Sequence, residues 1–148
     1  MSSVSQAWQL ALAAEQQAAF GYALLGPQLS GTDKDLARAC ERAHDSLRDD
    51  TATAITESGL TPGVPAADYP ALYPVAGARS ARALAVRLEQ QCAAAWRFLY
   101  AQAAEVTSPS ATARRREAQA ALTASAVRAT QWRRAADSAP ATEAFPGI

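Results

Sequence analysis

Four side chains in this 148-residue sequence could bind a metal ion or form buried ion pairs. Glu15 and Glu89 are each the single charge in an otherwise apolar stripe at helical spacing, and Glu41 stands three residues before His44, the one histidine. Carboxylate and imidazole groups are metal ligands, and a buried carboxylate without any partner costs several kcal/mol. Glu15 and Glu89 must therefore be paired or coordinated.

Ion pairing with arginine satisfies both glutamates without a metal. If the first two helices turn near residue 32, Glu15 lies level with Arg48, and Glu89 faces Arg128 at the edge of another stripe. A guanidinium binds a carboxylate through two hydrogen bonds and fills the place of an ion. We predict a polar core cluster without a bound cofactor, made of Glu15, His44, Arg48, Glu89 and Arg128.

Metal binding is the alternative, with iron or manganese held by Glu15, Glu41, His44 and Glu89. Two such ions about 3.5 to 4 Å apart need roughly four carboxylates and two imidazoles. The sequence supplies fewer, so this alternative is a single ion completed by water. It would make the protein a metal-binding protein or a metal-dependent oxidase.

The elements that position these residues are predicted to be helices. Alanine, the best helix former, occupies 39 of the 148 positions, whereas valine, isoleucine and threonine are scarce. Glycine, proline and serine clusters divide the chain. The predicted helices span about 5–29, 33–58, 78–106 and 111–137, followed by a C-terminal tail, 138–148.

A proline-rich segment between the second and third helices sets the topology. Residues 60–77 contain four prolines and two glycines, which exclude a continuous helix, and about 18 extended residues reach roughly 60 Å. The other two connections are short. We predict one all-α domain over 1–148, a four-helix bundle with a long crossover between helices 2 and 3; a plain up-down-up-down bundle is the alternative.

The ligand pattern resembles that of ferritin-like proteins. Glu15, Glu89 and the E-x-x-H of Glu41 to His44 match three of their four ligand elements, whereas helix 4 lacks a second E-x-x-H. With the W-R pairs at Trp96 and Trp132 and the A-F-P-G ending at Gly147, the chain resembles a small bacterial ferritin-like family of unknown function. The resemblance implies a ferritin-like bundle whose metal site is degenerate.

Composition excludes several functions. The 14 basic residues balance 14 acidic ones, which argues against nucleic-acid binding. The run from Arg114 to Arg116 is predicted to be a solvent-exposed helix turn. No apolar run suits a membrane span, and the first twenty residues lack a basic n-region, so we expect a cytoplasmic protein. Cys40 and Cys92 are expected to be inert buried thiols, and the three tryptophans to be core residues.

These features together predict a structural or interaction role, and enzymatic activity is not expected. A protein partner is not specified by the sequence. Close approach of thin, alanine-rich helices makes a homodimer the expected assembly.

Overall fold

The structure is a computed structural model that describes residues 1–137, 141–142 and 144–148. These residues form four α-helices and two short 3-10 turns, and none of them lies in a strand. The all-helical prediction is confirmed. The helices are α1 (Ser3–Leu25), α2 (Gly31–Glu57), α3 (Gly77–Ala104) and α4 (Pro109–Ala135).

Local signals in the sequence explain where the helices begin and end. The Ser2 hydroxyl caps α1 by accepting a hydrogen bond from the Ser5 amide. Ser108 caps α4, which has proline at its first position. Every helix end lies within four residues of its predicted position. The largest difference is the end of α1, at Leu25 instead of 29, because Gly26–Gln28 forms a 3-10 turn that contains Pro27.

Side-chain contacts define the directions of the helices. α1 packs against α2 and α3, and α3 packs against α4. Asp33 pairs with Arg82 near the starts of α2 and α3, and His44 meets Glu89 further along both helices. α2 and α3 are therefore parallel to each other. α1 runs antiparallel to both, because its end lies at the start of α3, where the Gln28 side chain accepts the Gly77 amide.

Parallel α2 and α3 require the connecting segment to return along the bundle. The segment begins beside the first part of α1, where Gln9 bonds the Thr61 carbonyl and the Gly63 amide at 2.8 Å each. It ends beside the far end of α1, at Gly77. The predicted crossover is thus found, and it excludes the up-down-up-down alternative.

The core between the helices is thin and built mainly from small side chains. Alanines such as Ala11, Ala18 and Ala85 are fully buried, and Gly21 lies so close to Leu88 that a Cβ atom there would stand 2.5 Å from a leucine methyl. Close approach of α1 and α3 is what brings their polar core residues within hydrogen-bond distance. Within the described residues, no helix is long and apolar enough to cross a membrane.

The C-terminal tail lies against α3 where it is described. Arg97 donates to the Pro146 carbonyl at 3.4 Å, and Gly147 has a φ of +84° beside Ala93. Phe145 is 72% exposed and contributes little to this attachment. The predicted tail, 138–148, falls partly outside the described residues, which omit 138–140 and 143.

Candidate functional site

The centre of the bundle holds a histidine between two glutamates. His44, near the middle of α2, faces Glu15 of α1 through Nδ1 and Glu89 of α3 through Nε2, with 2.5 Å between nitrogen and carboxylate oxygen on each side. All three side chains have zero solvent exposure. The arrangement joins three helices through one imidazole ring.

Bridging two ionised carboxylates requires a proton on each imidazole nitrogen. Ionised carboxylates only accept hydrogen bonds, so a ring that bonds two of them must donate from both nitrogens and carry a positive charge. Burial lowers the pKa of His44, but hydrogen bonds and charge from Glu15 and Glu89 outweigh burial and raise it to about 9. His44 is therefore an imidazolium at neutral pH.

Glu89 receives three further contacts. Arg128 of α4 donates from Nε to both carboxylate oxygens, at 2.8 and 3.1 Å, and Tyr22 donates its hydroxyl at 3.2 Å. Trp132 in turn donates its indole N–H to the Tyr22 oxygen at 2.8 Å. Burial would lower the pKa of Arg128, but Glu89 reverses that effect and raises it. The cluster thus balances two carboxylates against one imidazolium and one guanidinium.

Glu15 is fixed on its second oxygen by Trp96 of α3, whose indole N–H donates to Oε1 at 2.7 Å. Cys92 lies one helical turn before Trp96 on α3, and its thiol donates a hydrogen bond to the Ala14 carbonyl at 3.5 Å. Burial, and then the charge of Glu15 and Glu89, raises the pKa of this thiol well above its ordinary value. Cys92 is therefore a protonated thiol that borders the cluster.

The predicted pair between Glu15 and Arg48 is wrong. Arg48 is one-third exposed and pairs with Asp45 and Asp49, at 3.0 and 2.8 Å, and His44 takes its place beside Glu15. The α1 to α2 connection turns two residues earlier than expected, near residue 30. In an antiparallel hairpin, a two-residue change in the turn shifts the residue of α2 that lies opposite Glu15 by four positions, which is about one helical turn.

The structure brings together only part of the predicted metal-ligand set. Glu15, His44 and Glu89 meet in the core, whereas Glu41 is half-buried and lines two surface grooves between α1 and α2. Glu41 and His44 are three residues apart on α2 but do not converge on one point. Glu89 and Arg128 do lie together, as the ion-pair hypothesis expects.

Cavities in the described part of the chain leave little room for a substrate at this cluster. A groove of about 630 Å³ between α1, α2 and the crossover is lined by Phe20, Tyr69 and Glu41, among others, but by none of the three bridged residues. The space that touches Glu89 measures about 30 Å³, which suits only one or two water molecules. The bridged histidine is closed to larger molecules.

Sequence reasoning missed the aromatic and thiol members of the cluster. Tyr22, Trp96 and Cys92 share the helical stripes of Glu15 and Glu89, so their spacing indicates proximity. Their aromatic and thiol side chains suggest packing, however, and spacing along one helix does not show which side chains face each other across helices. Each of the three nevertheless makes a polar contact in the core.

Two comparisons relate the chain to known proteins. Residues 7–148 match a family described as a domain of unknown function, DUF4439. A solved structure, titled as the crystal structure of a conserved hypothetical protein, rv2844, from Mycobacterium tuberculosis, is 33% identical, with a TM-score of 0.82 over 97% of each chain. No functionally curated protein matches.

Raising the pH should weaken the fold through His44. The pKa of His44 is about 9 in the folded protein and about 6.5 when unfolded, so the imidazolium stabilises fully below pH 6.5 and loses this contribution as pH rises through 9. The expected loss in the free energy of unfolding between pH 6 and 10 is about 3 kcal/mol. Urea unfolding at several pH values measures it.

The His44→Gln variant is the control for that titration, because the cysteines and tyrosines also titrate in this range. The variant should lack the histidine contribution and show a shallower pH dependence. Parallel pH profiles in the two proteins would mean that His44 is neutral in the fold.

Replacing arginines one at a time should separate Arg128 from Arg48. Arg128→Ala leaves the buried Glu89 without its guanidinium partner and should lower the free energy of unfolding by about 3 kcal/mol. Arg48→Ala removes only exposed pairs and should cost about 0 to 1 kcal/mol. Urea unfolding of both variants at pH 7 gives the comparison, and equal losses would contradict the assignment.

Proposed function

The chain belongs to the DUF4439 family, and we propose that it is a ferritin-like bundle that has lost the dinuclear metal centre and serves a structural or interaction role. Its topology supports this descent, since ferritin-like bundles have one long crossover that makes the second and third helices parallel. Glu15, His44 and Glu89 project inward from α1, α2 and α3, as the metal ligands of such bundles do, which also supports the proposal.

The observation that carries the proposal is that protein cations fill the site. His44 bonds one oxygen of each glutamate, and Arg128 bonds both oxygens of Glu89. Two iron or manganese ions would need several free carboxylate oxygens and a second imidazole. Because α4 presents Arg128 to this point and Glu41 lies outside it, the donor set does not fit a dinuclear centre.

The closed surroundings of the cluster also favour a structural role. Oxidase chemistry requires access for a substrate, and the space beside Glu89 admits little more than water. A buried charged network without access instead fixes which residues of α1, α2, α3 and α4 lie opposite one another. We infer that the cluster holds the helices in register and that the outer surface carries any interaction.

Compartment and assembly follow as parts of the same proposal. Cys40 and Cys92 are free, buried thiols, which suits a reducing compartment such as the cytoplasm. The proposed assembly is a homodimer, and sedimentation equilibrium of the purified chain determines its mass in solution.

Elemental analysis distinguishes this proposal from the alternative of a metal-dependent oxidase. Protein produced without a histidine tag in medium supplied with iron and manganese should contain far less than one ion of either per chain, because the cluster lacks the set of free carboxylate oxygens that these ions take. Inductively coupled plasma mass spectrometry gives the stoichiometry. At least one iron or manganese per chain, lost in His44→Ala and in Glu89→Ala, would establish the alternative.

A further inference from the structure

One corner of the cluster has a different donor set from that of a carboxylate-bridged centre. Glu15, His44 and Cys92 each offer one ligand atom, a carboxylate oxygen, a ring nitrogen and a thiol sulfur, and these atoms all lie within 4.8 Å of one another. All three side chains are buried. We propose that this corner binds a single zinc ion. The inference rests on the proposed structural role of the cluster and does not restore a dinuclear centre.

The donor types favour zinc over manganese. Zinc takes thiolate, imidazole and carboxylate ligands at about 2.0 to 2.3 Å, whereas manganese prefers sites made of oxygen. Tetrahedral donors at those bond lengths stand roughly 3.3 to 3.8 Å apart. Glu15 Oε2 and His44 Nδ1, now 2.5 Å apart, therefore need to open by about 1 Å to admit zinc, and the widest separation, of up to 4.8 Å, needs to close by about 1 Å.

The groups around this corner form hydrogen bonds of the kind that usually support metal ligands. With zinc on Nδ1 of His44, the Nε2 proton still donates to Glu89, and a ligating histidine commonly donates its other N–H to a carboxylate. Trp96 holds Oε1 of Glu15, so zinc bonds Oε2 in place of the His44 Nδ1 proton that this oxygen accepts in the metal-free protein. These contacts orient two of the three ligands before zinc enters.

Charge is conserved when zinc replaces protons. Without metal, Glu15 and Glu89 are balanced by the His44 imidazolium and Arg128, and the Cys92 thiol is neutral. Zinc binding breaks the His44 Nδ1–H and Cys92 S–H bonds, forms bonds from zinc to nitrogen, sulfur and the Glu15 oxygen, and releases two protons. The added charge of two equals the charge released, so the buried cluster stays neutral.

Cobalt(II) titration tests the site, because a cobalt-thiolate bond gives a charge-transfer band that oxygen and nitrogen ligands do not give. Metal-free wild-type protein should bind one cobalt per chain with this band, and one equivalent of zinc should abolish it. Cys92→Ser should lose the band, whereas Cys40→Ser, a matched change at the other buried cysteine, should keep it. Circular dichroism establishes that both variants fold.

X-ray absorption at the zinc edge of zinc-loaded wild-type protein tests the same site without any variant. One sulfur at about 2.3 Å together with nitrogen and oxygen near 2.0 Å is expected. Absence of a cobalt-thiolate band in the wild type, its persistence in a folded Cys92→Ser protein, or a zinc shell without sulfur would overturn the inference. Each of those results leaves the iron and manganese analysis to decide the proposed function.

Discussion

The imidazole of His44 between two buried carboxylates is the constraint on which the rest of the structure depends. A carboxylate in an alanine-rich core is costly unless a cation meets it, and here one ring meets two of them at 2.5 Å each. The ring can bond both carboxylates only if Glu15, His44 and Glu89 lie at the same level of α1, α2 and α3. Arg128 extends the same requirement to α4 through Glu89.

Small residues make this arrangement possible and also limit what it can do. Gly21 and the buried alanines allow α1 and α3 to approach closely, so Glu15 and Glu89 reach the ring without intervening water. The space beside Glu89 measures only about 30 Å³. The carboxylates of Glu15 and Glu89 are bonded to the bundle's own cations, His44 and Arg128, which tie the four helices together.

Much of the fold was predictable from sequence, because alanine content, capping serines and proline clusters act locally. The need for a buried partner at Glu15 and Glu89 was predictable too, and so was Arg128. The partner of Glu15 was not, since a two-residue error in the turn near residue 30 replaces His44 by Arg48. The contributions of Trp96 and Tyr22 depend on contacts between helices, which spacing along one helix does not encode.

The most direct test of the central claim is nitrogen-15 NMR of the imidazole ring. The chain has one histidine, so selective labelling gives a single pair of ring nitrogen signals. At pH 7.5 in metal-free protein, both nitrogens should have imidazolium shifts and a bonded proton, because each donates to a carboxylate. A neutral ring, with one nitrogen lacking a proton, would contradict the proposal that an imidazolium fixes the helices of this bundle.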